Sequence, residues 1–220
     1  KEDFLRANLA GVLAKDIGAT AQMRDLEQSF ICSLFHSLGR LLSQYYFPEE
    51  SDEIRRVIAQ KQCAEDLAAR QVLGLSFEDL GVAIARQWGF PSLIVSTMRR
   101  LPAGPVKKAL QQEDRLRVLS GFANELCDVI AQATPEARDL ELKKTMARLA
   151  EAVAIETQEL QQTVQRAVEE VADFARVIHL NLQQTNLGTQ MRLFAKGSMA
   201  GSEGAGATAS AELADGTLLG

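Results

Sequence analysis

Apolar residues recur every three or four positions over nearly the whole stretch from residue 2 to residue 184, and no convincing run of alternating β-branched residues breaks the pattern. The spacing predicts an all-α protein. A first helix is expected over Glu2 to Ile17, closed by Gly18, with Phe4, Leu5, Leu9, Val12 and Leu13 on one side. A long second segment from Ala21 to Tyr46 should bend near Ser37 to Gly39. Pro48 then opens a helix through Ile54, Val57 and Ile58, and a short one follows from Ala64 to Leu73.

Ser76 with Asp79 three residues on is a capping pattern, in which a side-chain oxygen takes up a free N–H of the helix start. A helix from Phe77 to Trp88 should begin there and end at Gly89, with Pro91 in the first turn of the next. After the loop "LPAGP" the pattern predicts three longer helices: Gln112 to Ala133, Pro135 to Ala154 with Thr134 as its N-cap, and Thr157 to Leu182. In the last, Leu160, Val164, Ala167, Val171 and Ile178 form a stripe suited to packing on the core or on the same helix of a second chain. From Gly197 the composition changes, with six glycines in the final 24 residues, which predicts a flexible tail or linker. The expected division is a helical core over 1–110, a helical extension over 111–184 and a tail over 185–220.

Composition narrows the function. A net charge of -5 argues against a protein that works by neutralising nucleic-acid phosphates, and no apolar run is long enough to span a membrane. The start "KEDFLRANLA" has neither an initiator Met nor the layout of a secretory signal, so a cytoplasmic piece of a longer protein is expected. Cys32, Cys63 and Cys127 are odd in number and widely spaced, and read as buried small hydrophobes. "FEDLGVAIARQWGFPSLIVSTM" has the outline of a helix-turn-helix, but Pro91 to Met98 offers only Ser92, Ser96 and Thr97 to a DNA groove. Trp88 is expected to be a core anchor, and Glu78 and Asp79 to serve the helix N-terminus. Arg99, Arg100, Lys107 and Lys108 bracket the "LPAGP" loop as candidate contacts for an anion or an acidic partner.

His36 lies in "SLFHSLGRLL", among residues that otherwise make a core face. The stretches "SFICSLFHSLGRLLSQYYFPEE" and "VLGLSFEDLGVAIARQWGFPSLIVSTM", covering Gln28 to Met98, resemble the second half of an HDOD domain, the HD-related output domain of bacterial signalling proteins. The Gly81, Trp88, Gly89 and Pro91 spacing carries much of that likeness. The resemblance implies an HD-like helical bundle. It places His36 where metal-dependent HD phosphohydrolases keep a His-Asp pair, with Ser37 in place of the Asp. It also puts an upstream ligand position near Ala7 or Asn8, that of a second His near Phe77, and that of a further His around Arg99 and Arg100.

The metal set is therefore degenerate: no catalytic residue, metal or cofactor is assigned. The first half of the family domain is expected to precede Lys1 or to have diverged. The function expected is a non-catalytic signal-transduction module, acting through an adjoining signalling domain or partner protein, with self-association through the stripe as a further option. Cyclic-dinucleotide signalling is a natural setting for such relatives. The alternative is a divergent HD-type phosphohydrolase acting on a phosphate ester or cyclic dinucleotide.

Overall fold

The computed structural model describes residues 2–132, 135–182 and 185–193. Among these residues there are helices and no strand. The helices are α1 (Glu2–Thr20), α2 (Leu26–Phe35), α3 (Leu38–Tyr46), α4 (Pro48–Lys61), α5 (Glu65–Leu73), α6 (Phe77–Gln87), α7 (Ser92–Thr97), α8 (Gln112–Gln132), α9 (Pro135–Leu149), α10 (Thr157–Val177) and α11 (186–193). The expected N-cap Thr134 and the Gly-rich segment from Gly197 lie outside the described residues.

α1 is the axis of the molecule. Leu5, Ala7, Leu9, Ala10, Gly11, Val12, Leu13, Ala14 and Ile17 are all buried, so apolar or small residues face every direction over its middle turns. A helix without a polar face is stable only when surrounded, and α2, α8 and α10 pack around this one. Gly18, expected to end the helix, is buried within it next to Leu119 of α8. The resulting core joins α1 to α8, α9, α10 and α11 in one cluster that runs from Leu5 to Met191. Leu160, Val164 and Val171 lie inside it, whereas Ile178, just past the end of α10, is 39% exposed. Residues 185–193, expected in the tail, instead carry α11: Leu187 and Met191 are buried in the core, and the Leu187 N–H donates to Glu2 Oε1 at 2.9 Å.

Two smaller clusters hold the remaining helices. Leu38, Val82, Ala85, Val95 and Met98 join α3, α6 and α7, and Ile54, Val57, Ala68, Ala69 and Phe77 join α4, α5 and α6. Ser76 Oγ accepts the Asp79 N–H at 3.0 Å, which starts α6 as its spacing predicts. At the other end Gly89 has φ +72, the Gly89 N–H donates to Arg86 O and the Phe90 N–H to Ala85 O, a closed C-terminal motif that turns the chain back.

That reversal corrects the expectation for Trp88. Phe90 returns to the core, edge-on to Phe35 at 4.9 Å between ring centroids, while Trp88 at the helix cap is left 54% exposed. Trp88→Ala should therefore cost about 1 kcal/mol or less, well below the roughly 3 to 5 kcal/mol of a buried aromatic. A thermal melt lowered by far more would show that the indole is enclosed in solution.

Candidate functional site

The helical path breaks between α2 and α3. His36 caps α2, and Ser37 leaves the helical region with φ -93 and ψ 6 before α3 resumes at Leu38. The break lies in the expected place, and it turns both side chains toward a pocket of about 240 Å³. Arg6 of α1, Arg40 of α3, Phe77 and Glu78 of α6, and Asn124, Glu125 and Asp128 of α8 complete most of the wall, with Arg100 and Leu101 at its edge. His36, Ser37, Phe77 and Arg100, four positions singled out by the family resemblance, thus line one cavity. Ala7, at the expected upstream position, is buried instead in α1, and its neighbour Arg6 reaches the pocket.

Charged partners are arranged in a definite order around it. Arg6 pairs with Asp128. Arg40 pairs with Glu65 and lies 3.7 Å from Asp3, and Arg100 comes within 4.0 Å of the same Glu65 Oε2. Glu78 accepts from Arg99 at 2.7 Å and from the Arg100 backbone N–H at 2.9 Å, and Arg99 also meets Asp79 at 3.0 Å. Glu78 and Asp79 therefore do more than face a helix dipole: they clamp the end of α7 to the start of α6. Glu125 pairs with Arg148. Phe77 presents its ring to the Arg40 guanidinium at 5.9 Å. Asn124 Nδ2 donates to Ser33 O and Ser120 O, and Ser33 Oγ donates to Ala10 O, a buried polar link between α8, α2 and α1.

His36 is the least ordinary member. Its Nε2 is enclosed without a hydrogen-bond partner. Burial first, then the nearby Arg100 charge, pushes the imidazole down to about 4 from its ordinary 6.5, with Glu78 pulling the other way and Arg40 and Arg6 adding to the depression. Burial, together with the neighbouring Arg40, lowers the Arg6 guanidinium to about 10, so it stays charged at neutral pH. Because the folded value of His36 lies below the unfolded one, the folded state binds fewer protons between the two. Its contribution to stability is complete above pH 6.5 and is lost as pH falls toward 4. The loss is expected to be roughly 3 kcal/mol, and His36→Gln should flatten that limb of a denaturation profile. An unchanged limb would show that His36 is solvated.

Lys107 and Lys108 are exposed and are not among the pocket's lining residues. Cys32 and Cys127 are buried; desolvation raises both thiols, Cys127 to about 12, which leaves them inert. Arg6, Arg40, Glu65, Asn124, Glu125 and Asp128 were not singled out from the sequence. They stand on four separate helices with no shared local motif.

A catalytic divalent metal needs about three imidazole or carboxylate ligands. Among the described residues no group of three His, Cys, Asp or Glu side chains could hold a metal ion. The donor set explains why. His36 is the one imidazole lining the pocket, and Glu78, Glu125 and Asp128 are each engaged by an arginine. Arg6, Arg40 and Arg100 oppose a cation by Coulomb repulsion. The residues present do not fit a divalent metal.

The described helices form a bundle with a pocket at a helix break, and the architecture agrees with an HD-like fold. The crystal structure of a "Putative phosphohydrolase" from Shewanella amazonensis SB2B superposes with a TM-score of 0.51 at 13% identity, over 89% of this chain and 64% of that one. Residues 2–102, just under half of the chain, match the model of the HDOD domain. The match starts well before Gln28, where the resemblance in the sequence first becomes legible. An uncharacterized protein of Treponema pallidum (strain Nichols) is 27% identical over 96 residues, which are 42% of this chain and 18% of that protein. The chain thus spans under a fifth of that relative's length. Among the described residues no helix is long and apolar enough to cross a membrane.

Proposed function

We propose that the chain is a non-catalytic regulatory module of a signalling protein, acting through contacts with an adjoining domain or a partner protein. One observation carries this reading. By the family resemblance His36 is retained while Ser37 stands for the Asp, Phe77 lies near a second His position and Arg99 and Arg100 near a further one. His36, Ser37, Phe77 and Arg100 line one pocket with Arg6 and Arg40, and its carboxylates are each engaged by an arginine. The HDOD match over residues 2–102 supports a signalling role for the same segment.

The mechanism is a population shift: a ligand or partner that binds one helix arrangement more tightly biases the whole module by that difference in affinity. α1 is suited to couple the two sides of the molecule, because it carries Arg6 in the pocket and packs against α10. With Leu160, Val164 and Val171 spent on the core, the stripe of α10 serves this internal coupling rather than a dimer. The test is a hydrolysis assay with Mn²⁺ or Mg²⁺ and both a phosphomonoester and a cyclic dinucleotide. No turnover above buffer is expected. Turnover that disappears in His36→Ala would establish the phosphohydrolase alternative instead.

A further inference from the structure

We propose that the pocket at the α2–α3 break binds a small phosphate-class oxyanion, held by the guanidiniums of Arg6, Arg40 and Arg100 with His36 at its floor. The inference rests on the regulatory reading of this site and names the chemistry that would reach it.

Three features of the cavity point to an oxyanion. The first is unmet hydrogen bonding. A guanidinium has five N–H donors in a rigid fork that matches carboxylate and phosphate oxygens. Arg40 Nε is enclosed without an acceptor, as is His36 Nε2 without any partner. Buried polar atoms without a hydrogen-bond partner are uncommon in folded proteins; a third on this wall, Asp128 Oδ1, is ion-paired with Arg6, and the two nitrogens that remain ask for a shared acceptor. A neutral His36 with its proton on Nε2 donates one such bond.

The second feature is the distribution of charge. The carboxylates along the wall are taken: Glu78 by Arg99 and the Arg100 N–H, Glu125 by Arg148, and Asp128 by Arg6. Arg40 lies between Glu65 and Asp3, and Arg100 stands off at 4.0 Å from the same Glu65 oxygen. At His36 itself the charges of three arginines oppose one glutamate. An anion beside His36 meets these arginines directly, and Arg100, half-exposed at the edge, is the one most loosely held by a carboxylate.

The third is space. A cavity of about 240 Å³ is roughly eight times the volume a water occupies in the liquid, enough for a tetrahedral oxyanion and a few waters. It is smaller than the range of about 300 Å³ and above typical of drug-sized ligands. Arg6, Arg40 and Phe77 also line a wider groove of about 670 Å³ that runs past Arg55 to Asn186. A phosphomonoester could lay its organic part along that groove while its phosphate meets the arginines.

The chain has only two histidines, His36 and His179, so their imidazole NMR signals give a direct readout. Inorganic phosphate is titrated near pH 7 at constant ionic strength, with chloride as the control. Saturable movement of the His36 signals is expected, with His179 still, and the protonation midpoint of His36 should rise above its free value of about 4. Arg100→Gln should weaken phosphate about tenfold, the worth of one charge-assisted hydrogen bond. Arg86→Gln, exposed on α6 and outside the pocket, should leave it unchanged. Ribose 5-phosphate binding more tightly than phosphate assigns the wider groove to the organic part, and equal binding assigns the free ion. If phosphate leaves His36 unmoved, or moves both histidines alike, the oxyanion site is wrong. A parallel Mn²⁺ titration separates the causes: selective broadening of His36 by Mn²⁺, without any response to phosphate, overturns the regulatory reading as well. Silence toward both ions overturns the oxyanion site alone.

Discussion

Gly39→Ala should unfold or severely loosen the protein, at a cost of at least about 3 kcal/mol, at or beyond the upper end of overpacking effects. A Cβ at Gly39 would lie 1.8 Å from the Phe77 carbonyl oxygen and 2.8 Å from the Gly81 N. Both obstacles are backbone, so no side-chain rotation relieves them. α3 and α6 would have to separate, and these helices carry Arg40 and the Phe77–Glu78 pair into the pocket. Gly81→Ala meets Gly39 N at 2.8 Å and the movable Met98 Cε at 3.1 Å, so it should be the milder of the two. Urea denaturation of both variants checks the size and the order. A Gly39→Ala protein as stable as wild type would mean that the two helices do not cross this closely.

Val164→Glu is expected to rank with it. Val164 is 1% exposed on the face of α10 that joins the core containing α1, and a carboxylate there loses its water without gaining a partner. Burying an unpaired charge costs roughly 3 to 5 kcal/mol, or raises the group's pKa until it is neutral. Thermal stability should fall while the mass in solution stays that of the wild type. Ile178→Glu on the exposed end of the same stripe should change stability by about 0.5 kcal/mol or less. A loss of dimer mass in Val164→Glu, with stability unchanged, would instead place this face between two chains.

Local signals in the chain reach some of these elements and miss others for physical reasons. Ser76 with Asp79, Gly89, Pro48 and the break at Ser37 are local devices whose chemistry acts within a few residues, and each marks a helix end in the structure. α1 looks amphipathic by its large aliphatics alone, because the alanines and glycine between them give no sign that they too are enclosed. Trp88 lies outside the core because hydrophobicity says nothing about which side of a chain reversal a residue falls on. α11 was hidden by its short length and by Asn, Thr and Gln around Leu187 and Met191. For the pocket, His36, Ser37, Phe77 and Arg100 follow from spacing against a family pattern. Arg6, Arg40, Glu65 and Asp128 do not, since each reads as an ordinary surface charge until the fold brings them together.

If arginines stand in place of a metal centre, purified protein incubated with Mn²⁺, Fe²⁺ or Zn²⁺ and then desalted should hold no stoichiometric metal by elemental analysis, because His36 is the pocket's lone imidazole and its carboxylates are held by arginines. About one or two metal ions per chain, as in mononuclear or two-metal catalytic sites, retained through desalting and lost in His36→Ala, would contradict it.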